Sequence, residues 1–383
     1  MTLDSISGLP IGEERRSIPY AEFIKMFDGV DEPTLRRIAI SHIRDIAPRF
    51  EGTVLAREGM AIARKDVDAD DPHAWIGDVL GLVEKTLRAH PPSDADWRIR
   101  REALLLLDYP LHVEGGDIWL HEVVSFYRRF LSRAVAEIAD TSVTEGLRVW
   151  KLYNMGFVVK SPRHTIGFDI HPGRAPLNFL AEREQRTLAD SLEFATVSHN
   201  HEDHADIGFL KYMLEAGKPV VLPPDTTPEL AGDNVLRLRD DYRIPTAING
   251  VEVHSHAGFQ AETPCNIYVV KIDGYVVSQN GDNAGPEYYA EIGKLHSVDV
   301  LLANCWSGMN EYVAATNPRL LITGHENELE HGVTHRVPFK NTFGNLDRLE
   351  LAPPWRSGSP RVSILACGEC LHWIREMGIA GTI

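Results

Sequence analysis

The sequence predicts a mixed α/β protein, with a helical region over residues 1–145 ahead of a larger α/β body over 146–383. Three observations carry this. Up to residue 145, apolar side chains recur at helical spacings. Beyond it, short apolar runs are broken by Gly, Pro and charge, with helical stretches between several of them. The turn after one such run, residues 198–208 (SHNHEDHADIG), gathers three of the chain's 17 histidines with two aspartates and a glutamate.

The bulk numbers bound the function. At 383 residues the chain is one large domain or two, and 43% hydrophobic with 25% charged residues is ordinary for a soluble globular protein. A net charge of −16 is a poor match for a phosphate backbone, which argues against nucleic acid as partner. No run of about 18 apolar residues occurs, so no membrane span is expected. The opening MTLDSISGLPIGEERR has neither a basic start nor an apolar stretch, which predicts a cytoplasmic location. Cys265, Cys305, Cys367 and Cys370 are then expected as reduced thiols.

In chain order, a helix is predicted from Pro33, with Leu35, Ile38, Ile40, Ile43 and Ile46, ended by Pro48. The acidic run 66–71 (DVDADD) reads as a solvated loop. Residues 75–87 place Ile76, Val79, Leu80, Leu82, Val83 and Leu87 on one face. Asp94 is a candidate cap for a helix over 97–107, stopped by Pro110. The longest helical stretch is 118–138, whose FYRRFLSR (126–133) reads as an exposed basic face. Strands are predicted in LRVWKLY, GFVVKS, HTIGFDI and FATVSH, then in KPVVLP, GVEVHSHA, CNIYVVKIDGYVVSQ, VDVLLAN, RLLITGH and RVSILACGE, with a helix over 286–295. No internal repeat or low-complexity tract is present.

The chemistry concentrates in His199-Asn200-His201-Glu202-Asp203-His204, the pattern H-x-H-x-D-H, directly after an apolar strand. In extended backbone, residues two apart point the same way, so His199 and His201 can share one metal; after a turn, Asp203 and His204 can face a second. Imidazole nitrogen with carboxylate oxygen suits zinc, and also iron or manganese.

HNHEDH after a strand resembles the signature of the metallo-β-lactamase-fold hydrolase superfamily. The resemblance covers about residues 147–375 and includes the order of the later elements. It implies an αββα sandwich with two divalent metal ions, zinc foremost, at one edge between the sheets. It also implies that Asp169 in TIGFDIHPG supports the metal loop from behind the ligands. His199, His201 and one histidine of VEVHSHAG would hold the first metal. Asp203, His204 and His325 of LLITGH would hold the second, and Asp282 of SQNGDN would bridge both. Of the pair His254 and His256, two apart and so on one face of a strand, His256, beside Ala257-Gly258, is the expected ligand with His254 the alternative. The wording of SHNHEDH is similar to lactonase-like and phosphodiesterase-like members, whereas the glutamate of diiron flavoproteins is replaced here by His201.

Other residues carry weaker signals. Cys367 and Cys370 form a CxxC followed by His372, but without a second pair they read as core cysteines. His331 and His335, four apart, are candidates for substrate binding or proton donation if not simply part of a polar loop. His171, Asn283, Asn304, Trp306 and Ser307 follow strands and are candidates for the pocket wall.

The expected function is a dinuclear metal-dependent hydrolase that directs a metal-bound hydroxide at a small-molecule ester, lactone, thioester or phosphodiester, with Asp203 and Asp282 as catalytic carboxylates. An iron-dependent oxidoreductase on the same fold is the alternative, and a nucleic-acid phosphodiesterase is disfavoured by charge. The region 1–145 is expected to cap the cleft or to form a homodimer interface.

Overall fold

The computed structural model describes residues 74–111, 121–173, 178–239, 245–283, 285–305, 308–326, 329, 338–351, 360–375 and 378–380. The predicted helix after Pro33, the acidic run 66–71, Trp306, Ser307, His331 and His335 lie outside them. The described residues form two compact units. The first takes those up to Pro91, within Ala95–Phe126 and within Glu328–Gly344; the second takes Pro92–Asp94 and those within Tyr127–Asn327 and Asn345–Ile383.

In the first unit, helix α1 (Ala74–Ala89) packs on α2 (Trp97–Leu111). α1 buries Ile76, Val79, Leu80, Leu82, Val83 and Leu87, the stripe that its spacing predicts. The start of α2 corrects an expectation. The Asp96 carbonyl accepts from Arg100 N (3.0 Å), so Asp96 stands where the helix begins, while Asp94 is paired with Arg361 in the second unit. The helix also runs one residue past Pro110. So near a helix end, the missing N–H of proline forfeits little.

The second unit is built on two sheets. The first has the spatial order β17 (Gly378–Ala380), β16 (Cys370–Ile374), β1 (Leu147–Lys151), β2 (Phe157–Lys160), β3 (Thr165–Phe168), β4 (Phe194–Thr196), β5 (Val220–Leu222) and β6 (Val235–Arg237). It is antiparallel from β17 to β3 and parallel from β3 to β6. The second has the order β15 (Arg361–Ser363), β14 (Leu320–Gly324), β13 (Val300–Asn304), β12 (Tyr275–Gln279), β11 (Ile267–Ile272), β8 (Val251–His256) and β7 (Thr246–Ile248). It is parallel from β15 to β12 and antiparallel from β12 to β7. A short hairpin, β9 (Phe259–Gln260) and β10 (Thr263–Pro264), stands apart from both.

One apolar core lies between the sheets. Val149, Phe157, Phe168 and Trp373 come from the first, and Val253, Tyr268, Val277, Leu302 and Ile322 from the second. Helices make the crossovers that parallel neighbours require. α4 (Glu182–Ser191) joins β3 to β4 and α5 (Ile207–Glu215) joins β4 to β5. α6 (Pro286–Leu295) joins β12 to β13 and α7 (Met309–Thr316) joins β13 to β14. α5 packs on β5 and α7 on β13, which gives the αββα layering expected. Helix α3 (His121–Asp140) leads into β1; it buries Tyr127, Phe130, Leu131, Ala134, Val135 and Ile138 and leaves Arg128 and Arg129 exposed. Among the described residues, no helix is long and apolar enough to cross a membrane.

This connectivity positions the site. Parallel strands finish on the same edge of their sheet. Asp169 follows β3, Ser198 and His199 follow β4, Asp282 follows β12 and His325 follows β14.

A second polar feature is wholly buried. Lys151 Nζ donates to Thr323 O (3.1 Å) and pairs with Glu326, the residue after His325, and neither side chain is exposed. Removing one partner of such a pair strands a charge and costs about 3–5 kcal/mol. Lys151→Met or Glu326→Leu should therefore lower unfolding stability in urea by that order, and the double substitution by clearly less.

Candidate metal centre

The H-x-H-x-D-H segment is a turn tied down at both ends. Ser198 donates from its N–H to Asp169 Oδ1 (2.6 Å) and from Oγ to Asp169 Oδ2 (2.8 Å). Its carbonyl accepts from Asn266 N (2.7 Å). The amides of His204 and Ala205 both donate to His201 O (3.0 and 2.9 Å), which reverses the chain. Asp206 then caps α5 by accepting from Phe209 N (2.6 Å). Gly281, at φ +52, faces Ser198 where a Cβ would collide with its side chain, so the turn before Asp282 admits glycine.

Two groups of donors converge. In one, ligand atoms of Asp203, His204, Asp282 and His325 all lie within 4.8 Å of one another; in the other, those of His199, His201 and Asp282 do. Asp282 belongs to both. His204 Nε2 stands 3.4 Å from Asp203 Oδ2 and 3.3 Å from Asp282 Oδ1. His325 Nε2 is 3.5 Å from both carboxylates. Asp203, His204, Asp282 and His325 are all buried, as is His199.

Partners behind the donors fix ring orientation. His204 Nδ1 lies 2.9 Å from Asp169 Oδ2; a carboxylate only accepts, so this nitrogen carries the proton and Nε2 faces the cluster. The Ser198 hydroxyl spends its proton on Asp169 and so accepts from His199 Nδ1 (2.9 Å). That leaves His199 Nε2 buried without a partner, as suits a metal ligand. Asn154, at φ +54, donates from Nδ2 to Asp203 O (2.9 Å) and Oδ2 (3.0 Å). Its carbonyl accepts from the N–H of His325, itself at φ +76. Asn304 donates to Asp282 Oδ1, and Gln260 Nε2 to Asp282 Oδ2 (3.0 Å).

The electrostatics are divided. Burial presses His199 down to about 3, with the charge of His204 adding to this, so its ring is neutral. Burial opposes charge on Asp203 and Asp282 as well, but His204 and His325 outweigh it and hold both carboxyls well below their usual range. Burial likewise opposes charge on His204 and His325. Asp282 and Asp203 override it, raising His204 well above its ordinary value and His325 to about 10. Imidazoles and carboxylates whose mutual attraction holds protons in place are the donor set a divalent cation would take over.

Six of the seven expected ligands are therefore brought together, and Asp169 lies behind them. His256 is in neither donor group. It lies in β8 with its Nε2 3.3 Å from His296 Nε2, and His254 stacks edge-on to the same ring at 4.7 Å. Burial lowers His256 to about 3 and His296 to about 4. His171 accepts from Gly173 N (3.1 Å), and Asn283 Oδ1 from Gly285 N (2.9 Å), so both shape their own turns. Cys367 and Cys370 are buried free thiols, and burial pushes Cys370 up to about 12. His372 donates to Glu145 O (2.9 Å).

Comparison with protein-family models and with curated proteins gives no match. Solved structures are similar at low identity. Igni18, a metallo hydrolase from Ignicoccus hospitalis, is 16% identical over 58% of this chain and 97% of its own, with a TM-score of 0.43. The metallo-β-lactamase-fold protein YhfI from Bacillus subtilis is 14% identical over 59% and 99%, at 0.41. CmlA, a diiron β-hydroxylase from Streptomyces venezuelae, is 13% identical over 61% and 55%, at 0.43. The solved structures that this chain is similar to thus include metallo-β-lactamase-fold proteins.

Because His204 and His325 hold protons in the cation-free site, cation binding must expel them. Calorimetry at pH 7 in buffers of different ionisation enthalpy should show release of roughly two protons per site filled through these rings. Apparent affinity should weaken as pH falls. A proton count of zero would contradict the charge assignment.

Proposed function

We propose that the protein is a hydrolase that works with two divalent cations, zinc foremost, on a small-molecule ester, lactone, thioester or phosphodiester. The observation that carries this is Asp282, one carboxylate shared by two groups of donors. A bridging carboxylate sets paired metal ions about 3.5–4 Å apart in enzymes that displace a leaving group with water. When bound, such cations supply a water acidified towards neutrality and a Lewis-acid contact for the substrate oxygen.

The chain's own residues do the rest. His199 presents a neutral ring with its free nitrogen inward. Asp169 and Ser198 hold the rings of His204 and His199 in the tautomers described. Asp203, held ionised, is the group placed to take up a proton as the leaving bond breaks, while Asn154 keeps its carboxylate aimed at the cluster. A cavity of about 700 Å³ opens in the same unit, and none of the six donors lines it. Its walls include Pro172 and Gly173 after the Asp169 turn, and Asp206 and Gly208 after His204; Arg128 and Tyr212 also line it. The net charge of −16 speaks against a nucleic-acid substrate.

Metal counting on the purified protein, joined to a screen of lactones, thioesters and phosphodiesters, tests the proposal. Two cations per chain and turnover of one substrate class are expected. Asp282→Ala should abolish turnover and lower metal content together, whereas retention of both would refute the shared site. The same nitrogen and oxygen donors accept iron, so one iron per chain with oxygen uptake would assign an oxidoreductase instead.

A further inference from the structure

The two donor groups are unequal. Among the His, Cys, Asp and Glu of the described residues, one position has four around it and the other has three, His199, His201 and the shared Asp282. His256, the expected third imidazole, faces His296 instead. Two carboxamides reach the shared carboxylate, Asn304 at Oδ1 and Gln260 at Oδ2, the latter carried by the β9–β10 hairpin through its pairing with Thr263.

The Gln260 carboxamide can be oriented from its contacts. Its Nε2 donates to Asp282 Oδ2 at 3.0 Å, and an ionised carboxylate accepts only a donor, so nitrogen rather than oxygen is on that side. The carbonyl oxygen Oε1 is then directed elsewhere, buried and without a hydrogen-bond partner. A buried acceptor left unmade is a net loss to the fold, and each such atom asks what meets it.

We propose that the Gln260 side chain completes the His199–His201–Asp282 position, its carboxamide oxygen serving as a cation ligand while its N–H holds Asp282. This rests on the two-cation reading above. A neutral amide oxygen is a harder and weaker donor than imidazole. The position it completes is therefore the weaker of the two for zinc, is emptied first by a chelator, and tolerates manganese better than its neighbour does.

Zinc and manganese titrated into the chelator-stripped full chain, with metal counting, test this without recourse to activity. Wild type should take two equivalents of unequal affinity. Gln260→Leu should weaken the weaker equivalent about 10–100-fold and leave the stronger unchanged, which also reports that the fold is intact. Gln260→His should tighten zinc at the weaker position. Unchanged affinity for both equivalents in both variants overturns the proposal and leaves the two-cation reading standing. Equal weakening of both equivalents reduces Gln260 to a prop for Asp282 and overturns it as a ligand. A wild-type chain that takes one equivalent overturns both readings.

Discussion

The Asp169 carboxylate is the constraint on which the site depends. It accepts from the Ser198 amide and hydroxyl after β4, from Gln279 Nε2 on β12 (3.0 Å), and meets His204 Nδ1. One buried group thereby joins the ends of two strands of the first sheet to a strand of the second. Burying a carboxylate is tolerable only when its oxygens are satisfied, and here the donors that satisfy it are those that aim the metal loop. Asp169 itself sits at φ +43 with its N–H on Thr196 O, so the ladder between β3 and β4 continues to the point where the carboxylate is delivered.

Around this anchor the backbone is held in conformations it would not choose. Asn154, Asp169 and His325 all have positive φ. Such residues persist where surrounding structure over-determines them, and the surroundings are visible: Asn154 holds His325 through its carbonyl, and Lys151 holds Glu326 next in the chain. The apolar core between the sheets supplies the rigidity, and the polar groups at its edge use it.

Much of this was legible from the residues. HNHEDH pointed to a metal loop by its density of ligand-type residues, whereas Asp282 and His325 were expected through the family resemblance, in the turns after strand-like runs. The α1 stripe is visible for the same reason, a single buried face at helical period. The choice between His254 and His256 was not legible. The two stand two residues apart and share one face of β8, so alternation cannot separate them; Val253 faces the core while both histidines, on the other side, are buried around His296. Asn154, Gln260, Gln279 and His296 were missed because their roles arise from distant segments approaching. A neutral polar residue in a turn or strand end carries little local signal, although the YNMG turn offered a hint, since asparagine accepts positive φ.

The donors come from residue 199 to residue 325 and from both sheets. His199, His201, Asp203 and His204 are local to one turn, but Asp282 and His325 reach them only when the two sheets have docked, so the full set exists only in the folded chain. A cation that needs the whole set would then be acquired after the sheets dock rather than before. Mass action makes the ion a selective stabiliser of correctly assembled molecules. Loading of the proposed cations would then distinguish finished chains from merely collapsed ones.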